Sequence, residues 1–422
     1  MPDRINPLGA QSDHTFATPL RPRARTDSQL PPSTQLFLLI AIVFALASQP
    51  LRAEVLFYGK VNVALVYVDQ GTGEPPAGDQ VTRFRGFGLN DNKAVRPWVL
   101  NPFITTPRGP ANRFGLEGSS DLGAGLKALF KVELGLSLAD SNNDAFNLRA
   151  SETLTMRNTF LGLGGTWGRL LLGRQDTPFK SSTAPLDLFI NTLGDSASTL
   201  GFQNYRADNS IYYASPSLAG LKWSAAILAG GGATLPGGVN PDASHLAEGL
   251  SLSAIYAQGP FYASLAFETT STALSDPVSF ETAAPWRKWR LGLGLLDWRG
   301  LSVTGMFEHW DHAFWGDDHQ ADLWQLQLGY RLDRFQIKAK LGGNQQRGDY
   351  ALLAPVGQDL MAEDDFAFHS WALGGDYAFS RQTKLFLVYS ANLADPLVQA
   401  TSRTTHDVLD WRGVQLGISH AF

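Results

Sequence analysis

Cysteine is missing from this chain of 422 residues, and charged residues make up only 17% of it. A chain without cysteine forms no disulfide, offers no thiolate to a metal and carries out no thiol redox chemistry. Soluble proteins usually contain about 25% charged residues, so the low charge favours a protein with little polar surface in water. Glycine and aromatic residues are plentiful by contrast, at 42 glycines and 11% aromatics. The composition therefore favours a β-rich protein.

Long apolar runs are also missing, apart from one near the amino terminus. The apolar segment Leu36–Ala47 follows a region with several arginines and precedes a short segment that ends at Ala53. Basic, apolar and small residues in this order are typical of a secretory signal peptide, and the apolar part is shorter than the about 20 residues of a transmembrane helix. We therefore predict that residues 1–53 are a signal peptide cleaved after Ala53. Cleavage after Ala47, or a membrane-anchoring helix, are the alternatives.

The part of the chain after the signal is mildly acidic, because the first 53 residues hold five arginines, no lysine and three aspartates. Binding to nucleic acid calls for clustered positive charge. The sequence contains no basic recognition helix, so we predict no nucleic-acid partner.

Alternation of apolar and polar residues is the main pattern of residues 54–422. In LFYGKVNVALVY, residues 56–67, Val61 and Val63 fall on one face of a strand while Lys60 and Asn62 fall on the other. Side chains alternate between the two faces of a strand, so this pattern predicts strands that are apolar on one side only. The pattern recurs to the end of the chain and predicts about sixteen strands.

The connections between these strands alternate between short and long. Short ones include DWRG at 297–300 and RLDR at 331–334, and long ones include residues 69–111 and 349–367. Short turns at one rim and long loops at the other are typical of bacterial outer-membrane barrels, whose strands are apolar outward and polar inward. The predicted fold is an all-β, transmembrane, antiparallel β-barrel with short periplasmic turns and long extracellular loops.

Five segments in order along the chain resemble the general trimeric porins of Gram-negative bacteria, of the proteobacterial type. They are LFYGKVNVALVY (56–67), NRFGLEGSSDLGAGLKALFKVE (112–133), RNTFLGLGGTWGRLLLGRQDTPFK (157–180), RADNSIYYASPSLAGLKWSAA (206–226) and GVQLGISHAF (413–422). The resemblance implies an outer-membrane homotrimer embedded in lipid, with a channel that passes ions and small hydrophilic solutes by diffusion and needs no cofactor.

The resemblance also implies that the third long loop, residues 175–207, folds into the barrel and narrows the channel with acidic residues opposite a basic wall. The candidate loop residues are Asp176, Asp187 and Asp195, with Arg174 at the base of the loop on the basic side. The cations expected on the polar face of the strands are Lys60, Arg113, Lys127, Lys131, Lys338 and Lys340. Both signs of charge occur, so the sequence leaves the preference between anions and cations open.

The chain ends in an aromatic residue, Phe422, preceded at alternate positions by His420, Ile418 and Leu416. In the family that the chain resembles, such an end is the signal read by the barrel-assembly machinery, which pairs the last strand by β-augmentation. We therefore expect Phe422 to be an assembly signal.

Other interpretations stay open at this point. A substrate-selective outer-membrane channel would differ mainly in its loops. An outer-membrane enzyme would need a nucleophile and a base at the rim, and the sequence has no G-x-S-x-G motif and no catalytic constellation. A secreted β-sandwich or adhesin would share the alternation. The stretch EHWDHAFWGDDHQ (308–320) has histidines and aspartates that could suit a divalent ion, but it falls in a predicted external loop, where polar residues are ordinary, and we predict no metal site.

Overall fold

The computed structural model describes residues 53–70, 85–90, 112–136, 138, 154–202, 204–229, 246–247, 249–270, 286–311, 320–348, 350–353, 359–362, 366–394 and 410–422. The predicted signal peptide lies outside the described residues except for Ala53. The strands are β1 (Ala53–Gln70), β2 (Arg85–Asn90), β3 (Arg113–Gly123), β4 (Leu126–Leu136), β5 (Leu154–Gly165), β6 (Gly168–Asp176), β7 (Arg206–Ala214), β8 (Leu221–Leu228), β9 (Gly249–Gln258), β10 (Phe261–Thr270), β11 (Trp286–Trp298), β12 (Leu301–Asp311), β13 (Gln320–Leu332), β14 (Phe335–Arg347), β15 (Tyr350–Leu353), β16 (Asp359–Ala362), β17 (Phe366–Ala378), β18 (Thr383–Ala394) and β19 (Trp411–Ala421).

Helical structure in the described residues is confined to the connection between β6 and β7. It consists of α1 (Pro178–Ser181), a 3₁₀ turn (Ala184–Leu186) and α2 (Ser196–Thr199). No helix in the described ranges is both long and apolar enough to cross a membrane.

In the described part of the chain, sixteen strands form a closed antiparallel barrel, in which β1 joins β3 at one edge and β19 at the other. These strands are β1, β3–β14 and β17–β19. In the closing pair, Lys60 lies opposite Ala421 and Gln70 lies opposite Trp411. Closure removes the exposed edges that an open sheet would have. The predicted fold and strand number are confirmed.

Three short strands lie in segments that the sequence predicted as loops. β2 pairs with the carboxyl-terminal part of β1, from Ala64 to Asp69, and β15 pairs with β16 in a separate two-stranded sheet. The prediction of loops without strands was wrong here, because strands of four to six residues are too short to display a clear alternation.

Turns at one rim are tight. β3 ends at Gly123 and β4 begins at Leu126, so the turn between them consists of Ala124 and Gly125, both with positive φ, at 53° and 78°. Two successive residues with positive φ form the type I′ turn, whose twist matches that of the strands it joins.

Polarity across the wall is the reverse of that in a soluble protein. On β13 and β14, Leu326 and Ile337 point outward and are 58% and 71% exposed, whereas Gln325 and Gln327 point inward and are each 2% exposed. An apolar outer surface of this kind is stable in lipid and not in water. The predicted orientation, apolar outward and polar inward, is confirmed.

The connection between β6 and β7, residues 177–205 apart from Gln203, is here called the inner loop. Its side chains Leu186, Leu200 and Phe202 are buried against the inward-facing Trp310 and Phe368 of the barrel wall. Phe189 and Leu193 pack in the same way against Phe386, Val388 and other inward residues of β1, β17, β18 and β19. The inner loop is therefore packed inside the barrel against one side of its wall.

Candidate pore and its lining

We call the inward-facing residues of β10–β14 and β17–β19, with Ala64, Val66 and Val68 of β1, the covered wall, because the inner loop lies on them. The inward-facing residues of β3–β7, with Tyr58 and Lys60 of β1, form the open wall. The two walls carry most of the charged side chains that the sequence placed on the polar face.

One cluster on the open wall is built around Glu133 of β4. The Tyr58 hydroxyl donates to Glu133 Oε2 over 2.8 Å, Arg157 Nε donates to Glu133 Oε1 over 2.6 Å, and Arg113 Nε lies 3.5 Å from Oε2. The pairing of β4 with β5 is irregular at this point, and such a bulge re-aims side chains, here bringing Arg157 to Glu133. Two guanidinium groups share one carboxylate, so this Glu133 cluster is net positive.

A second cluster surrounds Asp176, the last residue of β6. Lys180 Nζ lies 2.7 Å and Arg206 Nη2 lies 3.0 Å from Asp176 Oδ1. Thr177 caps α1 by accepting from Lys180 N over 3.3 Å, and this first helical turn returns Lys180 toward Asp176. Burial lowers the pKa of Lys180 to about 8, although Asp176 opposes the shift. The Asp176 cluster is also net positive.

Further cations lie beside these clusters. Lys60 and Arg113 occupy directly opposite positions on β1 and β3, and Lys131 Nζ lies 2.9 Å from Glu117 Oε2. Like charges at opposite positions destabilise a sheet, so the pairing of Lys60 with Arg113 does not serve stability. These residues and the two clusters together contain six cations and three carboxylates. The cations are Lys60, Arg113, Lys131, Arg157, Lys180 and Arg206, and the carboxylates are Glu117, Glu133 and Asp176.

The covered wall uses its lysines differently. Lys338 Nζ donates to Leu188 O over 3.0 Å and to Asp376 Oδ2 over 3.1 Å, and Lys340 Nζ donates to Gly194 O over 2.6 Å and Thr199 Oγ1 over 2.5 Å. Both side chains point inward as predicted, but the inner loop covers them. They hold this loop on the wall.

Two buried ion pairs lie beneath the ends of the inner loop. Arg290 Nε donates to Glu308 Oε2 over 2.6 Å, and its Nη1 donates to Asn204 Oδ1 over 2.8 Å. Lys288 Nζ lies 2.7 Å from Glu268 Oε1 and 3.9 Å from the centre of the Tyr205 ring. Both pairs contact the end of the inner loop at Asn204 and Tyr205, and removing one partner of such a pair would leave the other charge buried and uncompensated.

Amide side chains of the covered wall satisfy the backbone of the inner loop. Gln327 and Gln415 accept from Leu188 N and Leu193 N, each over 2.7 Å. Asn344 and Asn392 donate to Leu200 O and Thr199 O, each over 2.7 Å. Buried backbone groups need such partners, and these bonds explain how an irregular segment is stable inside the barrel.

The three predicted loop aspartates differ in their surroundings. Asp176 meets Lys180 and Arg206 at the open wall, whereas Asp195 caps α2 by accepting from Ala197 N and Ser198 N over 3.0 and 3.3 Å. Asp187 Oδ2 accepts from Ser196 N over 2.9 Å, and burial together with Asp195 raises the pKa of Asp187. Asp187 and Asp195 thus stabilise the turns of the inner loop.

The remaining predicted residues lie toward the rims or at the strand seam. Arg174 forms an ion pair with Asp208, Lys127 is exposed beside the tight turn at 124–125, and Phe422 pairs with Gly59. Sequence reasoning did not single out Arg157, Lys180 and Arg206. All three stand at the ends of the resembling segments 157–180 and 206–226, which is the signal that could have identified them.

The sequence predicted that the histidine and aspartate stretch, residues 308–320, lies in an external loop. This prediction was wrong for its first residues, which belong to a strand. His309 and Asp311 belong to β12, where His309 Nδ1 lies 2.6 Å from Asp322 Oδ1 and Nε2 lies 3.2 Å from Asp311 Oδ1. Residues 312–319 lie outside the described residues. Within the ranges that the structure covers, no group of three or more histidines or acidic residues could hold a metal ion.

A closed barrel with an apolar exterior, a charged interior and a folded-in loop defines the class of outer-membrane channels. The Gram-negative porin family matches residues 39–395. The chain belongs to this family, which confirms the predicted resemblance.

Among similar proteins, outer membrane porin protein 32 of Delftia acidovorans is 27% identical over 194 residues, 43% of this chain and 46% of that protein. An outer membrane porin protein of Bordetella pertussis is 23% identical over 305 residues, 67% of this chain and 77% of that protein. Alignment thus spans about half the length of the first relative and about three quarters of the second.

The solved structure of an anion-selective porin from Comamonas acidovorans has the same fold, with a TM-score of 0.58 at 20% identity, over 88% of this chain and 100% of that one. Family membership and the barrel fold make the protein a porin of the bacterial outer membrane. The barrel excludes the secreted-sandwich interpretation, and membership of a porin family favours a channel over a rim enzyme.

Proposed function

We propose that the barrel is a water-filled channel for passive diffusion of ions and small hydrophilic solutes, that the inner loop narrows it, and that it prefers anions. The observation that carries the preference is the open wall together with Lys180 of the inner loop, where six cations lie among three carboxylates. Clefts lined by one sign of charge raise the local concentration of the opposite ion. The Comamonas relative of the same fold is itself described as anion-selective.

Half-burial of the cations supports their role in the pore. The Arg113 and Lys180 side chains are 29% and 27% exposed, so solvent in the lumen reaches them. The lysines of the covered wall are in contrast occupied by the inner loop, and we assign them to holding the constriction in place. Among the predicted pore residues, Lys60, Arg113, Lys131 and Asp176 are those we propose to act on ions directly.

The test is the single-channel conductance of the protein purified from outer membranes, measured in a planar bilayer with the reversal potential in a salt gradient. We expect stable ohmic steps and a reversal potential of the sign that anion permeation gives. A folded barrel without conductance would contradict the diffusion channel. Steps with a cation-selective reversal potential would contradict the anion preference alone.

We infer that Phe422 serves the barrel-assembly machinery and also completes the seam between β1 and β19. Gly59 N donates to Phe422 O over 2.9 Å, and Phe422 N donates to Gly59 O over 3.0 Å. The Phe422 ring lies over Gly59, in the space that a β-carbon would need. An aromatic ring that covers a cross-strand glycine stabilises a sheet. Comparing assembly of Gly59→Ala in cells with its refolding in detergent would separate the two roles.

Two further proposals concern export and assembly. We propose that residues 1–53 are removed as a signal peptide, which amino-terminal sequencing of the purified protein would test. We also propose a homotrimer embedded in lipid, because the outer faces of β1 and β19 present Leu65, Val414 and Leu416 in one exposed apolar patch. Cross-linking in the membrane followed by gel electrophoresis would test the number of subunits.

A further inference from the structure

An apolar patch interrupts the polar lining of the open wall. Leu171 and Tyr212 of this patch are buried, whereas Leu129 and Phe160 pack against it and stay partly exposed. Side chains that line a water-filled barrel are ordinarily polar. We call this group, Leu129, Phe160, Leu171 and Tyr212, the apolar step.

Strand register explains how the apolar step forms. Leu129, Gly162, Leu171 and Tyr212 occupy directly opposite positions on β4, β5, β6 and β7. A β-carbon at Gly162 would lie 2.6 Å from Leu171 Cδ2, and one at Gly164 would lie 2.9 Å from Leu129 Cδ1. The two leucines therefore lie across bare glycine backbone and make a continuous apolar surface over four strands.

The apolar step borders directly on the cations. Lys131 lies opposite Phe160 in the pairing of β4 with β5, and Lys131 follows Leu129 on the inner face of β4. Arg157 precedes Phe160 on β5 and belongs to the Glu133 cluster. Neighbours on one face of a strand are about 7 Å apart, so an apolar body and a carboxylate on one small molecule can reach the two features together.

We propose that the open wall binds small organic anions with an apolar or aromatic body, in preference to hydrophilic anions of equal charge. Their carboxylate would face Lys131 and Arg157, while their body would lie on Leu129 and Phe160. This inference rests on the proposed anion-preferring channel and adds a solute class to it. Because the charge is the same in both classes of anion, the difference in affinity comes from the apolar area that binding removes from water.

Two matched organic acids test the proposal on the protein purified from outer membranes, measured in a planar bilayer. Cyclohexanecarboxylate and quinate share a ring and one carboxylate, but quinate carries hydroxyl groups on the ring. We expect cyclohexanecarboxylate to reduce the chloride current at concentrations about fivefold lower than quinate, the scale of burying one or two methylene groups.

Substitutions then assign the effect to the apolar step. The double variant Leu129→Ser with Phe160→Ser should remove the difference between the two acids, with each current normalised to that variant's own chloride current. Leu129→Met with Phe160→Leu keeps the surface apolar and should retain the difference. Heat-dependent migration on a gel checks that every variant forms a barrel, and Phe160→Asn alone serves if the double serine variant does not.

The outcomes separate this inference from the proposed function. An anion-selective chloride current that both acids reduce equally overturns the inference and leaves the channel intact. A difference that survives in the serine variant also overturns the inference, because the binding then lies elsewhere. A barrel without anion current overturns both.

Discussion

Lys340 on the covered wall and Lys131 on the open wall both point into the barrel from strands of the same alternating pattern. The Lys340 residue is only 4% exposed and donates to two groups of the inner loop, whereas the Lys131 side chain is 19% exposed and pairs with Glu117 beside the lumen. The same kind of residue holds the inner loop on one wall and, as we propose, lines the pore on the other. The difference lies in whether the inner loop packs over it.

Two arginines, one on each wall, differ in the same way. Arg290 on the covered wall is fully buried between Glu308 and the inner loop, and Arg157 on the open wall shares Glu133 with Arg113 within reach of solvent. Glu308 neutralises Arg290 one to one, whereas two guanidinium groups share Glu133 and leave a net positive charge beside the lumen, so the two walls should respond differently to the same type of substitution.

The largest effect is expected at Lys340. Lys340→Met leaves Gly194 O and Thr199 Oγ1 without their donor inside the barrel, and leaving such a group unsatisfied costs about 1–3 kcal/mol. We expect a lower unfolding temperature and a larger, noisier single-channel conductance as the inner loop loosens. Heat-dependent gel migration and bilayer recordings measure the two effects.

Lys131→Met is the matched control, because its ion pair with the exposed Glu117 contributes only about 0–1 kcal/mol. It should change the unfolding temperature little and reduce the anion preference. Equal destabilisation by the two variants would remove the distinction between the walls.

The second largest effect is expected at Arg157, and it tests whether the charges of the open wall set the anion preference. Arg157→Gln removes one of the two guanidinium groups of the Glu133 cluster, and a unit charge close to a permeating ion is worth about 1 kcal/mol. We expect the anion permeability to fall about fivefold, and the ratio of anion to cation permeability, taken from the reversal potential, to fall further because the same charge repels cations. Arg331→Gln, which disrupts only an exposed ion pair with Asp297 at the rim, should leave the ratio unchanged.

The smallest effect is a pH dependence at Lys180. Burial lowers its pKa to about 8, so this lysine is charged below that pH and loses its charge above it. The anion preference should therefore decrease between pH 7 and pH 9, by less than the Arg157 substitution produces. Lys180→Arg should make this decrease smaller, because arginine stays protonated over the whole range. A profile that is the same in the variant and in the unaltered protein would assign the titration to another group.

Sequence reasoning predicted the barrel well because a strand that is apolar on one side repeats its pattern every two residues. It identified Lys60, Arg113, Lys131 and Asp176, which lie on the open wall or beside it. It did not separate them from Lys338 and Lys340, whose sequence pattern is the same. β2 and the hairpin β15–β16 were missed because short strands give little periodic signal.

The contacts of the inner loop could not be predicted from local sequence patterns. Lys340 meets Gly194 across 146 positions of sequence, and Asn392 meets Thr199 across 193. No pattern within a strand encodes contacts between such distant segments, because these contacts exist only where the folded barrel brings the segments together. Asp187 and Asp195 were likewise predicted as pore residues, and only the folded loop reveals the backbone groups that each of them satisfies.

By itself, the sequence determined the strands, their two faces and the apolar exterior, since the alternation of side chains is a property of each strand. It also determined the family, through segments that keep their order along the chain. Tertiary structure alone decided which inward charges meet water, because packing of the inner loop divides one continuous polar lining into a covered wall and an open wall. The pairing register of β4 to β7 likewise aligned Leu129, Leu171 and Tyr212 into one apolar row, which no single strand could form.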